Sequence, residues 1–294
     1  MNTGKIISAL LLTAFWTVLF IPAAEGVVTT DYFPTGIKKS EGIIADGKRE
    51  GLWVFWYENG NLKSEGEYRN GKKYGLWIDR YEDGSKLSET EYLDGLINGS
   101  ERRWYPDGMI MSEVVCIMGK REGVYAVYYG DGSIRASIGY SHGRMHGRFL
   151  TRFRNGGKET EGMYSHGEKD GAWFNYHDNG TIDIKEIYRK DLRDGKWENW
   201  YADGSLRQTG FYLNNQASGK WVKWYEGGGI ESEGEYTNGA RIGLWKLWHS
   251  NGKLKEESSW KDGKREGSLR EWDEKGNLIN NETYFRGELV SKSL

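Results

Sequence analysis

One frame runs through this chain without an insertion or a deletion. With Gly51 taken as position one of a unit of 24 residues, glycine fills position one in every unit from Gly51 to Gly267. Glycine also fills position ten in every unit from Gly36 to Gly276. A constant period of this length marks a repeat array, in which each unit meets only its neighbours and the chain grows in one dimension. A globular packing of 294 residues into one or two domains is thereby set aside.

The local pattern says what each unit is. Positions nine and ten read Asn59-Gly60, Asp83-Gly84, Asp107-Gly108, Asp131-Gly132, Asn155-Gly156, Asn179-Gly180, Asp203-Gly204 and Asn251-Gly252. Strand-length aromatic runs flank them, so each unit is expected to be a β-hairpin closed by a two-residue type I′ turn. A second, looser turn should link the units at Asn70-Gly71, Asp94-Gly95, Asn238-Gly239 and Asp262-Gly263. With a two-residue turn, position seven would pair with twelve, five with fourteen and three with sixteen.

Alternation then sorts side chains onto two faces. Position three (Trp53, Trp77, Trp173, Trp197, Trp221, Trp245), the Tyr-rich position seven and position eighteen share the expected structural face. Glycine at position sixteen (Gly66, Gly162, Gly210, Gly234) should leave room for the Trp across the pair. The other face holds position six: Trp56, Trp104, Trp200, Trp224, Trp248 and Trp272, interrupted by Arg80 and Arg152. An acidic row at position fifteen, including Glu65, Glu113, Glu161 and Glu257, lies beside it. Glu101 and Asp191 are the departures in the middle of the array, replacing a Trp and a turn glycine.

The fold class is therefore all-β: an elongated, single-layer antiparallel array of tandem hairpins. Hydrophobic residues are 37% of the chain and aromatics 14%, so burial must rest on Trp and Tyr rings rather than an aliphatic core. The expected organisation is a signal peptide over 1–26, an incomplete capping repeat over 27–50, ten tandem repeats over 51–290 and a frayed tail over 291–294. Lys5, the apolar run Ile6–Ile21 and the small residues before Gly26 carry the signal reading. They imply export to a periplasmic or extracellular space, or, if uncleaved, an N-terminal membrane anchor.

The chemistry of catalysis is missing from the pattern. There is no Ser-His-Asp set, phosphate loop or Cys-x-x-Cys, so no catalytic, cofactor-binding or metal-binding residue is expected. Cys116, the single cysteine, excludes an internal disulfide framework; at position eighteen it should be a small buried substitute for Tyr. His142, His146 and His166 fall in inter-unit turns, where neighbouring units stand roughly 9.6 Å apart. They read as solvated turn residues. Charges balance, 41 basic against 43 acidic, and no polybasic stripe is expected, which argues against nucleic acid as the main partner. The position-six Trp row is the candidate partner surface, with Trp200, Trp224, Trp248 and Trp272 its longest uninterrupted stretch. Its alternative role is cladding for the neighbouring hairpin.

The motif Gly-x-Trp-x-x-Trp/Tyr-Tyr-x-Asn/Asp-Gly-x-Leu-x-x-Glu-x-x-Tyr-x-Asn/Asp-Gly, nearly complete in Gly51–Tyr74 and Gly219–Ile242, resembles the bacterial variant of the MORN (membrane occupation and recognition nexus) repeat. Proteins of this kind are commonly labelled YwqK-type antitoxins. The resemblance implies an antiparallel β-array used as an interaction surface, without catalytic residues. The function expected is an exported, non-enzymatic scaffold for protein or envelope interactions, its partner a protein or else an envelope glycan or a membrane surface. Alternatives are an antitoxin that masks a toxin by direct binding and a cell-envelope glycan-binding protein.

Overall fold

The structure, a computed structural model, describes residues 26–294. The expected signal segment lies outside the described residues but for Gly26. From Val27 onward the chain forms one 24-stranded antiparallel sheet in which sequence neighbours pair, except that Leu192–Arg193 and Gly195–Trp200 are two pieces of one interrupted strand, both paired with Ile182–Arg189. Eleven hairpins follow one another and a last strand, Glu288–Lys292, closes the series. The unit over 27–50 is itself a hairpin, with the same turn at Phe33–Gly36 as its successors.

The turn types are the reverse of the sequence expectation. Within a unit, the strand Lys48–Trp56 runs into the strand Leu62–Arg69 through Tyr57 and Asn61, which are hydrogen-bonded to each other and enclose a three-residue loop, Glu58 to Gly60. The Gly60 N–H donates to the Tyr57 carbonyl at 3.0 Å, and the Tyr57 N–H donates to the Asn61 carbonyl at 2.8 Å. Gly60 is left-handed at φ 86°, whereas Asn59 is not among the positive-φ residues, so this is a type I turn followed by a left-handed glycine. Asn or Asp stands at position nine for a different reason. Its side-chain oxygen accepts the backbone N–H two residues on, as Asn59 does from Asn61 at 2.9 Å and Asp83 from Ser85 at 2.8 Å. The two-residue type I′ turn links the units instead: Asn70 and Gly71 have φ of 51° and 79°, and Arg69 pairs with Lys72 beside them. Lys190-Asp191 keeps this conformation without glycine, at φ 50° and 63°.

Register follows. Phe55 pairs with Ser64 and Trp53 with Gly66, as the alternation requires, but the extra loop residue shifts the end of the ladder. Trp56 pairs with Leu62, so position six rather than seven faces position twelve. A larger slip, of two residues, lies between units. Glu65 pairs with Ile78 and Glu67 with Tyr74, so Gly66 faces a bulge that contains left-handed Gly75 and Trp77.

That bulge builds the core. Trp77 is 1% exposed in a sheet with no second layer. Its ring lies against the backbone of Gly66, where a Cβ would penetrate the indole. Its Nε1 donates to the Glu67 carbonyl at 3.0 Å, and Tyr68 meets it edge-on at 5.0 Å between ring centroids. The same seat recurs as Gly42 with Trp53, Gly162 with Trp173, Gly210 with Trp221 and Gly234 with Trp245. The glycine that receives a Trp thus belongs to the preceding unit and is not the Trp's own cross-strand partner, since the bulge carries the indole backwards over its neighbour. Where the seat is filled, the Trp is gone: Thr90 precedes Glu101, Val114 precedes Tyr125 and Ile138 precedes Phe149. Trp197 is the exception, donating its N–H to the Glu186 carboxylate at 3.2 Å.

Units are also tied along the turn edge. The position-seven hydroxyl donates to the position-six carbonyl of the next unit, as in Tyr57 to Arg80 (2.7 Å) and Tyr81 to Trp104 (2.8 Å). The tail is not frayed: Ser291 and Lys292 pair with Thr283 and Glu282, because the outer edge of Leu278–Phe285 offers them free backbone groups. Cys116 is 4% exposed, in the buried place expected of it, and burial pushes its thiol pKa up.

Two expectations follow. Gly60→Val should lower stability by more than ~1 kcal/mol through backbone strain alone, because nothing stands within 4 Å of the added Cβ. An unchanged urea midpoint would contradict the left-handed assignment. Gly66→Ile should cost about 1–3 kcal/mol by overpacking against Trp77, and Trp77→Phe in the same chain should recover part of it, reproducing the native Ile138–Phe149 pair. A double-mutant cycle with no favourable coupling would refute the inter-unit seat.

Candidate functional site

The two faces of the sheet differ in how they treat charge. On the back, the position-fifteen carboxylates are consumed internally. Lys86 pairs with Glu89, Arg80 with Glu65 at 3.3 Å, Arg102 with Glu113 at 3.5 Å, Lys220 with Glu233 at 2.9 Å and Arg270 with Glu257 at 3.2 Å. Position six joins this belt: Tyr128 donates to Glu113 at 2.7 Å, and the Lys86 ammonium stands 4.8 Å from the centre of the Trp104 ring.

Trp200, Trp224, Trp248 and Trp272 lie in this back-face column, in four successive units. Each is partly exposed, neither free on the surface nor sealed in a core. Each pairs across the ladder with an aliphatic residue at position twelve: Leu206, Ile230, Leu254 and Leu278. The polar position thirteen, which the sequence places beside them, is the extra residue of the bulge. Their carbonyls are taken by the position-seven ladder, from His177 (3.1 Å), Tyr201 (2.8 Å), Tyr225 (2.7 Å) and His249 (2.8 Å). The backbone of the row is therefore fixed, while its rings and the 38% exposed Ile230 and 37% exposed Leu278 form a half-open apolar ribbon.

The front face carries a column that sequence reading missed. Position twenty-three is Arg or Lys at Arg49, Lys73, Arg121, Lys169, Arg193, Arg241 and Arg265. These cations lie over the aromatic spine: Lys73 is 3.9 Å from the Trp77 ring centre, Lys169 is 4.3 Å from Trp173 and Arg241 is 4.3 Å from Trp245. Apart from Arg193, which meets Glu186 at 3.1 Å, none has a carboxylate within 4 Å among the described residues. The cations are scattered through the sequence at intervals of one unit or more, so no basic run betrays them. Stacking the units in frame and reading down column twenty-three would have found them.

Histidines His146 and His166 approach more closely than unit spacing suggests, with ring centroids 5.2 Å apart. Among the described residues no group of three or more His, Cys, Asp or Glu side chains is placed to hold a metal ion.

One carboxylate shows how the back belt responds to pH. Burial alone would raise the Glu161 pKa, but hydrogen bonds from Tyr176 (2.6 Å) and Lys158 (2.9 Å) hold it below the ordinary value of 4.5. The same contact, added to burial, pushes the Tyr176 hydroxyl up to about 12. The carboxylate's contribution is present above 4.5 and lost as pH falls through the lowered folded value. The tyrosine's contribution is present below 10 and lost as pH rises through about 12. Tyr176→Phe should flatten the pH dependence of the unfolding midpoint at both ends; an unaltered profile would deny the coupling.

Comparison with known proteins agrees with this geometry. The model of the MORN repeat variant matches residues 49–70, 169–190, 193–214, 217–238 and 241–262. No curated protein matches the chain. Among solved structures, TcdB2-TccC3 is 13% identical over 88% of this chain and 18% of that one, with a TM-score of 0.19. A Photorhabdus luminescens Tc holotoxin pore is 12% identical over 88% of this chain and 17% of that one, with a TM-score of 0.18. The chain thus spans less than a fifth of those chains, and superposition at that level says nothing of shape or role. Five of its hairpins match the MORN repeat variant, within a sheet that holds the same frame from end to end.

Proposed function

We propose that the chain is an exported, non-enzymatic scaffold that binds a protein partner along the back of its sheet, through Trp200, Trp224, Trp248 and Trp272. The observation that supports this reading is the ribbon of four successive Trp–aliphatic pairs, partly exposed on a backbone already pinned by the position-seven ladder. A rigid row of half-open indoles loses little side-chain freedom when a partner covers it, and Trp is the residue type that most often dominates such contacts. Masking a toxin, as an antitoxin would, is the same reading with a toxin as the partner.

The test uses the mature chain to capture partners from native envelope extract, followed by Trp224→Ala scored for affinity and for unfolding midpoint. Binding should weaken by 2 kcal/mol or more if the ring is a hot spot, with the midpoint unchanged. Full binding by a folded variant would refute the site. A loss of roughly 3–5 kcal/mol of stability would return the row to structural cladding.

A further inference from the structure

The front face has a groove of about 360 Å³ near the start of the array. Phe55, Tyr68 and Trp77 are among the rings that line it, and Lys39, Arg49, Lys63 and Lys73 line it too. Its one acidic side chain, Asp79, accepts the Ser88 hydroxyl at 2.8 Å. Among the described residues none of the four cations has a carboxylate within 4 Å, whereas on the back face of the same units Lys38 pairs with Glu41, Arg80 with Glu65 and Lys86 with Glu89. Arg49 is held 4.4 Å from the Trp53 ring centre and donates to the Tyr68 hydroxyl at 3.1 Å; Lys73 rests on Trp77. These two are half-buried and fixed in place, and burial lowers the Lys73 pKa, so an arriving carboxylate would restore what desolvation removes.

The spacing of the cations narrows the ligand. Lys39 and Lys63 occupy the same position in adjacent units, as do Arg49 and Lys73, so each pair is separated by two strand spacings, roughly 9.6 Å. An extended polypeptide in the polyproline II conformation advances about 9.3 Å in three residues and returns to the same side at each third residue. In a β-strand, same-side neighbours are only about 6.6 Å apart.

We propose that this groove seats an extended acidic segment of a partner polypeptide, with Asp or Glu at every third residue, running across the strands from one unit to the next. The proposal rests on the scaffold reading above but uses a groove lined by residues 33–79, which holds none of Trp200, Trp224, Trp248 and Trp272. Arg49 takes a carboxylate through its planar guanidinium edge, Lys73 takes the carboxylate three residues on, and Lys39 and Lys63 flank the segment from the turn side.

The probe is a capped peptide of Glu-Ser-Pro triplets. Its control has the same composition, with the glutamates at alternate positions. Titration calorimetry on the full chain should show the triplet peptide binding roughly tenfold tighter than its control, with that advantage lost in the Arg49→Gln/Lys73→Gln variant. Should that variant unfold, Lys39→Glu/Lys63→Glu, at exposed positions, should abolish the same advantage. Trp224→Ala should leave peptide binding unchanged, which separates this groove from the Trp ribbon. Equal affinity for the two peptides, binding unaffected by either pair of substitutions, or tighter binding of a uronate polysaccharide than of either peptide would overturn the proposal.

Discussion

A tryptophan seated on a glycine of the preceding unit is the contact on which this sheet depends. A single-layer sheet has no facing layer in which to bury apolar surface, yet Trp53, Trp77, Trp173, Trp221 and Trp245 are all at least nine-tenths buried. The bulge at position one makes this possible. It swings the indole back over the neighbouring hairpin, where only a residue without a Cβ leaves room. In four of the five seats the freed ring nitrogen also finds a backbone carbonyl; Trp221 Nε1 has none. Each unit therefore completes its core with its neighbour's backbone, which is why a single hairpin of this pattern cannot be expected to stand alone.

Much of this was legible in the sequence, and the parts that were not have identifiable causes. The period, the hairpins and the pairing of positions three and five with sixteen and fourteen follow from glycine columns and alternation. The turn types were exchanged because Asn-Gly serves two turns with different physics. In one, Asn supplies a positive φ at Asn70; in the other, at Asn59, it supplies a side-chain acceptor. The Trp seated on each glycine was placed one unit too early because alternation alone contains no bulge. A signal was nevertheless present, since Gly is replaced by a larger residue just ahead of Glu101, Tyr125 and Phe149.

The candidate surfaces show the same limit. The Trp row was visible as a column, but its half-open state depends on Leu206, Ile230, Leu254 and Leu278 across the ladder, and the three-residue loop sets that pairing. The front-face cations were invisible to net charge, which is nearly balanced. Their meaning comes from the absence of carboxylate partners, and pairing is a property of faces that composition averages away.

The aromatic spine itself is not continuous. Ring meets ring from Trp53 through Tyr92, from Phe149 through Tyr188 and from Trp197 through Trp245, with the Glu186 carboxylate accepting from both Tyr188 and Trp197 across that last break; among the described residues no ring contact joins Tyr92 to Tyr125 or Tyr140 to Phe149. Between Tyr92 and Tyr125, Glu101 and Cys116 occupy the places that Trp and Tyr hold in other units, and Val114 fills a glycine seat. In a chain whose cohesion passes only between neighbours, such an interval is a seam. The array then consists of two stiff arms joined by a more compliant middle, and heat or pulling force would separate them as two cooperative blocks rather than one.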